Sequence, residues 1–216
     1  MEIPILYESK WLLVINKPAG LPVEHSPYYS SVEDWANNYV AKQETKPFIG
    51  IVHRLDRAAS GVLLIAKRKA ALQNLHEQFR ERQVQKTYLA LVEKAPPKIE
   101  ETLNHWLRKD LQLKKAHIFN KPTDKAQECS LNYRVLQKQL PGTLLEIDLY
   151  TGKFHQIRAQ LAYIGSPIFG DAKYGATIPY QADAIALHAW RLRFKDPMNN
   201  EMILEMEAPA QFLENP

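Results

Sequence analysis

Short apolar runs separated by turn residues dominate the chain, and they predict more strands than helices. Residues 5–7 and 11–16 predict a hairpin whose turn is formed by residues 8–10. The continuous apolar run 61–66 predicts a strand that is buried on both faces. Further strands are predicted where β-favouring residues cluster or apolar residues alternate, at 86–92, 131–135, 145–149, 187–193 and 202–206.

Helical spacing is found in three places. Ser31, with Asp34 three residues later, predicts a capped helix that continues to about residue 41. A second amphipathic helix is predicted over 69–82, and a third runs to its terminator Gly165 from a start near residue 151. The apolar residues at helical spacing are Leu72, Leu75 and Phe79 in the second, and Ile157, Leu161 and Ile164 in the third.

The arrangement of these elements predicts the fold class. Pro141-Gly142 joins two predicted strands as a hairpin, whereas residues 95–127 have weak periodicity and predict irregular strands in a long exposed excursion. Because strands outnumber helices and several are joined by tight hairpins, we expect an α+β fold with a mixed, mainly antiparallel central sheet flanked by helices and loops. With 216 residues and no internal repeat, we expect a single domain over 1–216.

The composition indicates what kind of partner the protein binds and in which cellular compartment it works. Lysine and arginine outnumber aspartate and glutamate by 28 to 24, and the basic residues cluster at 67–69, 80–86, 108–109 and 114–115. Such clustering can present one positive face to a polyanion. The lone Cys129 is expected to be a strand residue, and without an internal partner it indicates a reducing, cytoplasmic location. No membrane span or signal peptide is predicted.

The segment His53-Arg54-Leu55-Asp56-Arg57 is the first candidate for chemistry. It places one carboxylate in a short turn between a histidine and two arginines, just before a predicted buried strand. Cations beside a carboxylate favour its ionised form, so Asp56 is a candidate nucleophile while the arginines could grip phosphate. A charged turn before a strand can equally be a solvated loop, but two further segments favour the functional interpretation.

Arg158 and Tyr88 are the candidates in those two segments. The run 151–158 opens the predicted third helix, and helix N-termini suit anions. Arg158 lies at the margin of the apolar stripe, where its aliphatic stem could pack while its guanidinium extends beyond the stripe. The guanidinium could then hold a partly buried carboxylate by paired hydrogen bonds, or it could form a surface ion pair. Tyr88, in a predicted strand, could stack on a nucleobase and transfer a proton, or simply pack in a sheet.

Taken together and in order, the motifs resemble those of the RluA family of pseudouridine synthases. The resemblance spans about residues 5 to 195, and several motifs in the right order are far more specific than any of them alone. The segments that carry it are His53-Arg54-Leu55-Asp56, Ser60-Gly61, Lys86-Thr87-Tyr88, Thr151-Gly152-Lys153 and His155-Gln156-Ile157-Arg158, supported by 14–22 and 165–171.

The resemblance implies an isomerase that converts uridine in RNA to its C-glycoside isomer, on a pseudouridine synthase catalytic fold. It implies that Asp56 is the catalytic carboxylate, that Arg158 pairs with it and that Tyr88 stacks on the target uracil. Ile157 would line the pocket, and Arg54 would face the RNA and fill the space left by the extracted base. The further substrate-binding residues implied by the motifs are His53, Arg57, Lys86, Lys153, His155 and Gln156.

The same resemblance implies the partners. We expect structured RNA, ribosomal or transfer, as substrate, with no cofactor, no metal, no membrane and a monomeric state. The chain starts directly with the catalytic-domain hairpin, so RNA selection is expected to come from that domain without an accessory RNA-binding domain.

The chain departs from the family pattern at two places. Residue 59 is alanine, where threonine is common, and residues 153–154 are Lys-Phe, where arginine and a small residue are common. Lysine lacks the flat fork of arginine, so the contact there should differ.

Other readings compete with this one. A non-catalytic RNA-binding protein or RNA chaperone on the same scaffold would use the basic clusters equally well. A metal-dependent hydrolase is a second rival, but no established zinc spacing occurs; its ligands would be His53, Asp56, His155 and His188. A serine hydrolase is a third, although no Gly-x-Ser-x-Gly elbow surrounds Ser60.

Overall fold

The computed structural model describes residues 2–139, 141–199 and 203–207, and in it the chain divides into two compact units. The first unit takes its described residues from 2–86 and from 188 onward, and the second takes them from 87–187. The single domain over 1–216 stays a prediction. Within the described residues, no helix has the length and apolar character needed to cross a membrane.

Eleven strands and three α-helices make up the described elements. The strands are β1 (Ile5–Glu8), β2 (Leu12–Lys17), β3 (Gly50–Ile51), β4 (Ser60–Ala66), β5 (Gln85–Val92), β6 (Glu100–Asp110), β7 (Lys115–Phe119), β8 (Gln127–Gln139), β9 (Gly142–Leu149), β10 (Leu187–Lys195) and β11 (Ile203–Glu207). The helices are α1 (Val32–Ala41), α2 (Lys69–Arg80) and α3 (Gln156–Tyr163), and Ala172–Tyr174 forms a 3₁₀ turn.

The first unit is built around β4. This strand pairs antiparallel with β2 and β3 and parallel with β10, while β1 and β11 extend the edges antiparallel to β2 and β10. Both faces of β4 are buried, as predicted, and Val62 and Leu64 pack against Ala71 and Leu75 of α2. The apolar run therefore forms the inside of this unit because both of its faces find apolar partners.

Two predicted helices are confirmed in this unit. The Ser31 hydroxyl accepts a hydrogen bond from the Asp34 backbone N–H at 3.1 Å, so the predicted cap starts α1. The second helix ends at Arg80, two residues before the predicted end, because Arg82 adopts a left-handed φ of 57°. The Gln78 side chain bonds both the N–H and the C=O of Lys195 and fixes this helix to β10.

The second unit has the antiparallel strand order β5-β9-β8-β6-β7. With the parallel pair of the first unit, this confirms the α+β class with mixed, mainly antiparallel strands. The irregular excursion predicted for 95–127 is wrong, since β6 and β7 form a regular hairpin there. In β6 the well-buried side chains are Leu103 and Leu107, four residues apart, so the sequence shows no two-residue alternation. Cys129 is a buried strand residue of β8, as expected, and burial raises the pKa of its thiol to about 11.

The third predicted helix starts too early. Residues 151–155 are not helical, and α3 starts only after His155, whose φ of 52° is left-handed. The single apolar stripe is also wrong, because every side chain from Gln156 to Leu161 is buried. Near the C-terminus, β11 confirms the strand predicted at 202–206, although Met202 itself lies outside the described residues.

Candidate active site

Asp56 lies half-buried in a tight turn of the first unit. Its backbone carbonyl accepts from the Ala59 N–H at 3.1 Å, and the neighbouring Leu55 and Ala59 side chains are buried. The turn leads into Gly61, which has a φ of 117° and lies so close to the Ala189 carbonyl that a Cβ would collide with it. Glycine is therefore required where the carboxylate-bearing turn joins the core strand.

Lys17 ties this turn to the loop that follows β2, a role that the sequence interpretation missed. Its side chain is fully buried, and its ammonium donates to the carbonyls of Pro18 at 2.8 Å, Leu21 at 2.8 Å and Arg57 at 3.2 Å. Burial lowers the pKa of Lys17 to about 7, and the nearby negative charge of Asp56 opposes this shift. The sequence signal that could have indicated this role is a lysine that ends an apolar strand and directly precedes a proline.

Arg57 connects the Asp56 turn to the 18–21 loop through both its backbone and its side chain. Its carbonyl accepts from the Gly20 N–H at 2.8 Å, and its Nε donates to the Gly20 carbonyl at 2.9 Å. The Asp56 turn is therefore held by the Lys17 side chain and by the 18–21 loop. Such bracing keeps a carboxylate in one geometry, as catalysis requires.

Replacing Lys17 by Met tests this bracing. We expect a loss of about 2 kcal/mol or more in the free energy of unfolding at pH 9, because the Pro18, Leu21 and Arg57 carbonyls, which are buried or partly buried, lose the side-chain nitrogen that they contact. A lysine whose folded pKa is lowered binds its proton more readily when unfolded, so its contribution to stability rises with pH between about 7 and its ordinary value. Urea unfolding of both proteins at pH 6, 8 and 10 should show the wild type gaining relative to Lys17→Met. A stability difference that does not change with pH would contradict the buried titration.

His53 is engaged by the protein itself. Its Nε2 accepts from the Leu64 N–H at 3.1 Å, and its ring stacks on Phe79 with 5.0 Å between centroids. Burial lowers the pKa of His53 to about 3, with the positive charge of Lys86 as a second cause. The imidazole is therefore neutral and fastens the start of the motif to β4. Burial also lowers the pKa of Lys86, whose side chain is half-buried in β5.

Ser60 and His188 form a partly buried polar contact in the first unit. The Ser60 hydroxyl lies 2.8 Å from His188 Nδ1, and the imidazole is almost wholly buried. The contact joins the first residue of β4 to β10, at the point where these strands run parallel. In residues 2–139, 141–199 and 203–207, no three His, Cys, Asp or Glu side chains are grouped so as to hold a metal ion.

In the second unit, Arg158 forms a buried ion pair with Asp171. Its Nε lies 2.7 Å from one carboxylate oxygen and an outer guanidinium nitrogen lies 2.8 Å from the other, with side-chain exposures of 8% and 1%. The paired hydrogen-bond geometry is therefore the one found, and the expectation that the guanidinium emerges is wrong. The sequence interpretation did not single out Asp171, although it ends the 165–171 stretch.

Tyr174 organises the surroundings of this pair. The Arg158 guanidinium lies over the Tyr174 ring, 5.1 Å from its centroid. The Tyr174 hydroxyl accepts a hydrogen bond from the Ala116 N–H at 2.7 Å and lies 3.0 Å from His155 Nδ1. Phe154 stacks on His155 with 3.8 Å between ring centroids. The left-handed backbone of His155 thus places two neighbouring rings beside the first turn of α3.

The Gln156 side chain fixes the turn that precedes α3. Its side-chain oxygen accepts from the Thr151 hydroxyl at 2.7 Å and from the Lys153 N–H at 3.0 Å, while its nitrogen donates to the Ser130 carbonyl at 3.1 Å. These bonds are buried or partly buried, so the 151–156 turn is rigid. The Gln156 amide is used to build the turn, and the half-exposed Lys153 side chain is presented by it.

Tyr88 and Ile157 are both buried residues of the second unit. Tyr88 lies in β5 opposite Ile147 of β9, and Ile157 lies in the first turn of α3. Arg54, in the first unit, is exposed, and its guanidinium lies 3.0 Å from the exposed Glu24 carboxylate.

The basic clusters divide into two kinds. In the first unit carboxylates balance them, since Lys67 lies 2.7 Å from Glu8 and Arg68 lies 2.7 Å from Glu44. In the second unit, three cations of the predicted clusters at 108–109 and 114–115 lie over aromatic rings: Arg108 over Phe119, Lys109 over Phe154 and Lys115 over Tyr174. These clusters therefore combine cations with rings, a mixture that suits nucleic acid.

Comparison with known proteins agrees on one family. Residues 11–163 match the family described as RNA pseudouridylate synthase. The ribosomal large subunit pseudouridine synthase C of Buchnera aphidicola subsp. Baizongia pistaciae is 34% identical over 218 residues, covering 97% of this chain and 67% of the relative. The ribosomal large subunit pseudouridine synthase D of Nitrosomonas europaea is 35% identical, covering 94% of this chain and 61% of the relative. The chain thus spans about two thirds of the length of these relatives.

A solved structure shares the fold. The human RNA pseudouridylate synthase domain containing 4 superposes with a TM-score of 0.81 at 25% identity, covering 98% of this chain and 90% of its own. The resemblance to the RluA family that the motifs indicate is confirmed by these matches.

Proposed function

Because the chain belongs to the RNA pseudouridylate synthase family, and so is an RNA pseudouridine synthase and an isomerase, we propose that it modifies ribosomal RNA of the large subunit with Asp56 as its catalytic carboxylate. The target is inferred from the relatives, which are named as ribosomal large subunit enzymes. The observation that carries the Asp56 assignment is its place on a turn fixed by Lys17, Gly20 and Gly61.

The reaction exchanges one glycosidic bond for another. The bond between N1 of uracil and C1′ of ribose breaks, the base turns, and C5 bonds to the same C1′. The hydrogen of C5 leaves as a proton and N1 gains a proton, so no oxidant or energy source is needed. Uridine in folded RNA must first leave its stack, at a cost of a few kcal/mol.

Asp56 can drive this exchange in two ways. An ionised carboxylate can add to C1′ and form a covalent intermediate, or it can remove a ribose proton to give a glycal. Both routes need a carboxylate that is charged and held in one position. The braced turn supports that requirement, because it holds the carboxylate in one position.

We propose that the other site residues keep the parts that the resemblance gives them. Tyr88 stacks on uracil, Ile157 lines its pocket, Arg158 supplies the cation of the site and Arg54 meets the RNA. The paired bonds to Asp171 support the proposed part of Arg158, since they hold the guanidinium in one orientation.

The contacts divide the remaining predicted substrate-binding residues into two groups. The first group is proposed to bind RNA phosphates through basic side chains and consists of Arg57, Lys86 and Lys153. His53, His155 and Gln156 support the motif through contacts inside the protein. We further propose that the protein works in the cytoplasm as a monomer.

Release of the C5 hydrogen tests the activity. Large-subunit ribosomal RNA labelled with tritium at C5 of uridine, and transcribed without modification, should release tritium into water when the purified protein is added. Transfer RNA labelled in the same way serves as the comparison. Release from transfer RNA alone would overturn the proposed target, and no release from either RNA would contradict the activity.

A further inference from the structure

Two neighbouring tyrosines stand out on the first unit because they are exposed and close to the Asp56 turn. Tyr28 is 83% exposed and Tyr29 is 59% exposed, in the loop that joins β2 to α1. Large aromatic side chains mostly bury much of their surface, so two adjacent exposed rings suggest a binding surface.

The loop that carries these rings is held in shape. Residues Ser26 and Tyr29 form a β-bridge, and the Ser26 hydroxyl accepts from the Tyr28 N–H at 3.3 Å. At its base, His25 donates its backbone N–H to Glu33 at 2.8 Å, and its Nδ1 lies 2.7 Å from the Asp34 carboxylate. These bonds fasten the loop to the first turn of α1, so the rings are presented before any ligand arrives.

The loop is also connected to the catalytic motif. The Arg57 guanidinium lies over the Tyr29 ring at 5.1 Å, and Arg54 pairs with Glu24 at the start of the loop. Both arginines flank Asp56 in sequence. Exposed rings beside guanidinium groups form the combination on which unpaired bases stack while phosphates meet the cations.

We propose that Tyr28 and Tyr29 form a stacking platform for unpaired nucleotides that flank the target uridine in the RNA. This proposal rests on the proposed function, because it assigns a substrate contact to the same motif. RNA is favoured over a protein partner because stacking needs flat faces and cations together, and the loop supplies both next to the Asp56 turn. A uridine extracted from its stack leaves neighbouring bases unstacked, and these are the groups that the platform would receive.

Fluorescence anisotropy with a labelled single-stranded RNA 12-mer that has uridine at its centre tests the platform. Each ring should contribute about 10-fold in affinity, which corresponds to about 1.4 kcal/mol. Tyr28→Ala and Tyr29→Ala should each weaken binding by about that factor, whereas Tyr28→Phe and Tyr29→Phe should bind within twofold of the wild type. Tyr163→Ala, which removes an exposed tyrosine at the end of α3, is the matched control and should have no effect.

A second oligomer separates stacking from charge. The same 12-mer with reduced abasic residues on both sides of the uridine keeps every phosphate but offers no flanking bases. The wild type should bind it about as weakly as a variant carrying both Tyr28→Ala and Tyr29→Ala binds the intact 12-mer, and this double variant should bind the two oligomers equally. Thermal unfolding that matches the wild type excludes a folding defect, and the phenylalanine variants give a second comparison if the alanine variants are unstable.

The possible outcomes separate this inference from the proposed function. Unchanged 12-mer binding by the alanine variants overturns the platform, even if the enzyme isomerises uridine, and leaves the rings to a protein partner. Weakened binding that depends on flanking bases supports the platform, even if the ribosomal target is wrong. Weakened binding that is equal for the abasic oligomer would show a charge effect and would contradict stacking.

Discussion

Replacing Asp56 by Asn is expected to lower turnover by at least about 10³-fold while RNA affinity stays within about threefold of the wild type. Asparagine is nearly isosteric, so the turn and its bonds to Gly20 and Lys17 should persist. It can neither add to C1′ as a carboxylate nor accept the ribose proton, so both routes to pseudouridine close. Tritium release from ribosomal RNA measures turnover, and filter binding of the same RNA measures affinity.

The Lys17 titration provides an internal check on this variant. The negative charge of Asp56 raises the pKa of Lys17 against the effect of burial, so removing that charge should lower the lysine pKa further. Asp148→Asn changes a carboxylate on an exposed strand position of the other unit and is the matched control. Turnover near the wild-type level in Asp56→Asn would overturn the role assigned to this carboxylate.

Replacing Asp171 by Asn should have the largest effect on stability. The change leaves the Arg158 guanidinium buried without its carboxylate, and breaking a buried ion pair from one side costs about 3–5 kcal/mol. Turnover should fall as well, by about 100-fold, because the guanidinium loses the paired bonds that orient it. Urea unfolding measures the first effect, and tritium release below the unfolding transition measures the second.

A partly exposed ion pair of the same unit, with side-chain exposures of 54% and 17%, is the control for Asp171→Asn. Arg134 and Glu146 lie 2.7 Å apart across β8 and β9, with the arginine side chain exposed. Glu146→Gln should therefore cost less than about 1 kcal/mol and leave turnover unchanged. Equal losses for the two variants would contradict the view that burial makes the Arg158 pair important.

The sequence predicted elements whose patterning is local. The cap of α1 needs only Ser31 and Asp34, and the apolar run of β4 shows its burial directly, so both were confirmed. The β6 and β7 hairpin was missed because its burial depends on neighbours that are distant in sequence, such as β8. The start of α3 was misplaced because the left-handed backbone of His155 and the Gln156 side chain, rather than a capping pattern, fix it.

The same division holds for the candidate site. Asp56, Arg54 and Arg57 could be proposed as site residues because a carboxylate between cations is visible in the sequence. Lys17 was not recognised as the brace of the turn, since the acceptor that ties it to the turn, the Arg57 carbonyl, lies 40 residues away in the sequence. Asp171 was not recognised as the partner of Arg158, because thirteen residues and a reversal of the chain separate them. Long-range partners of buried charges leave little local signal.

Mapping pseudouridine in large-subunit ribosomal RNA is the most direct test of the central claim that this enzyme uses Asp56. The RNA would come from a strain that lacks the gene, complemented with the wild type or with Asp56→Asn. We predict at least one site that is lost on deletion, restored by the wild type and not restored by the variant. Restoration by Asp56→Asn, or no site lost on deletion, would contradict the account.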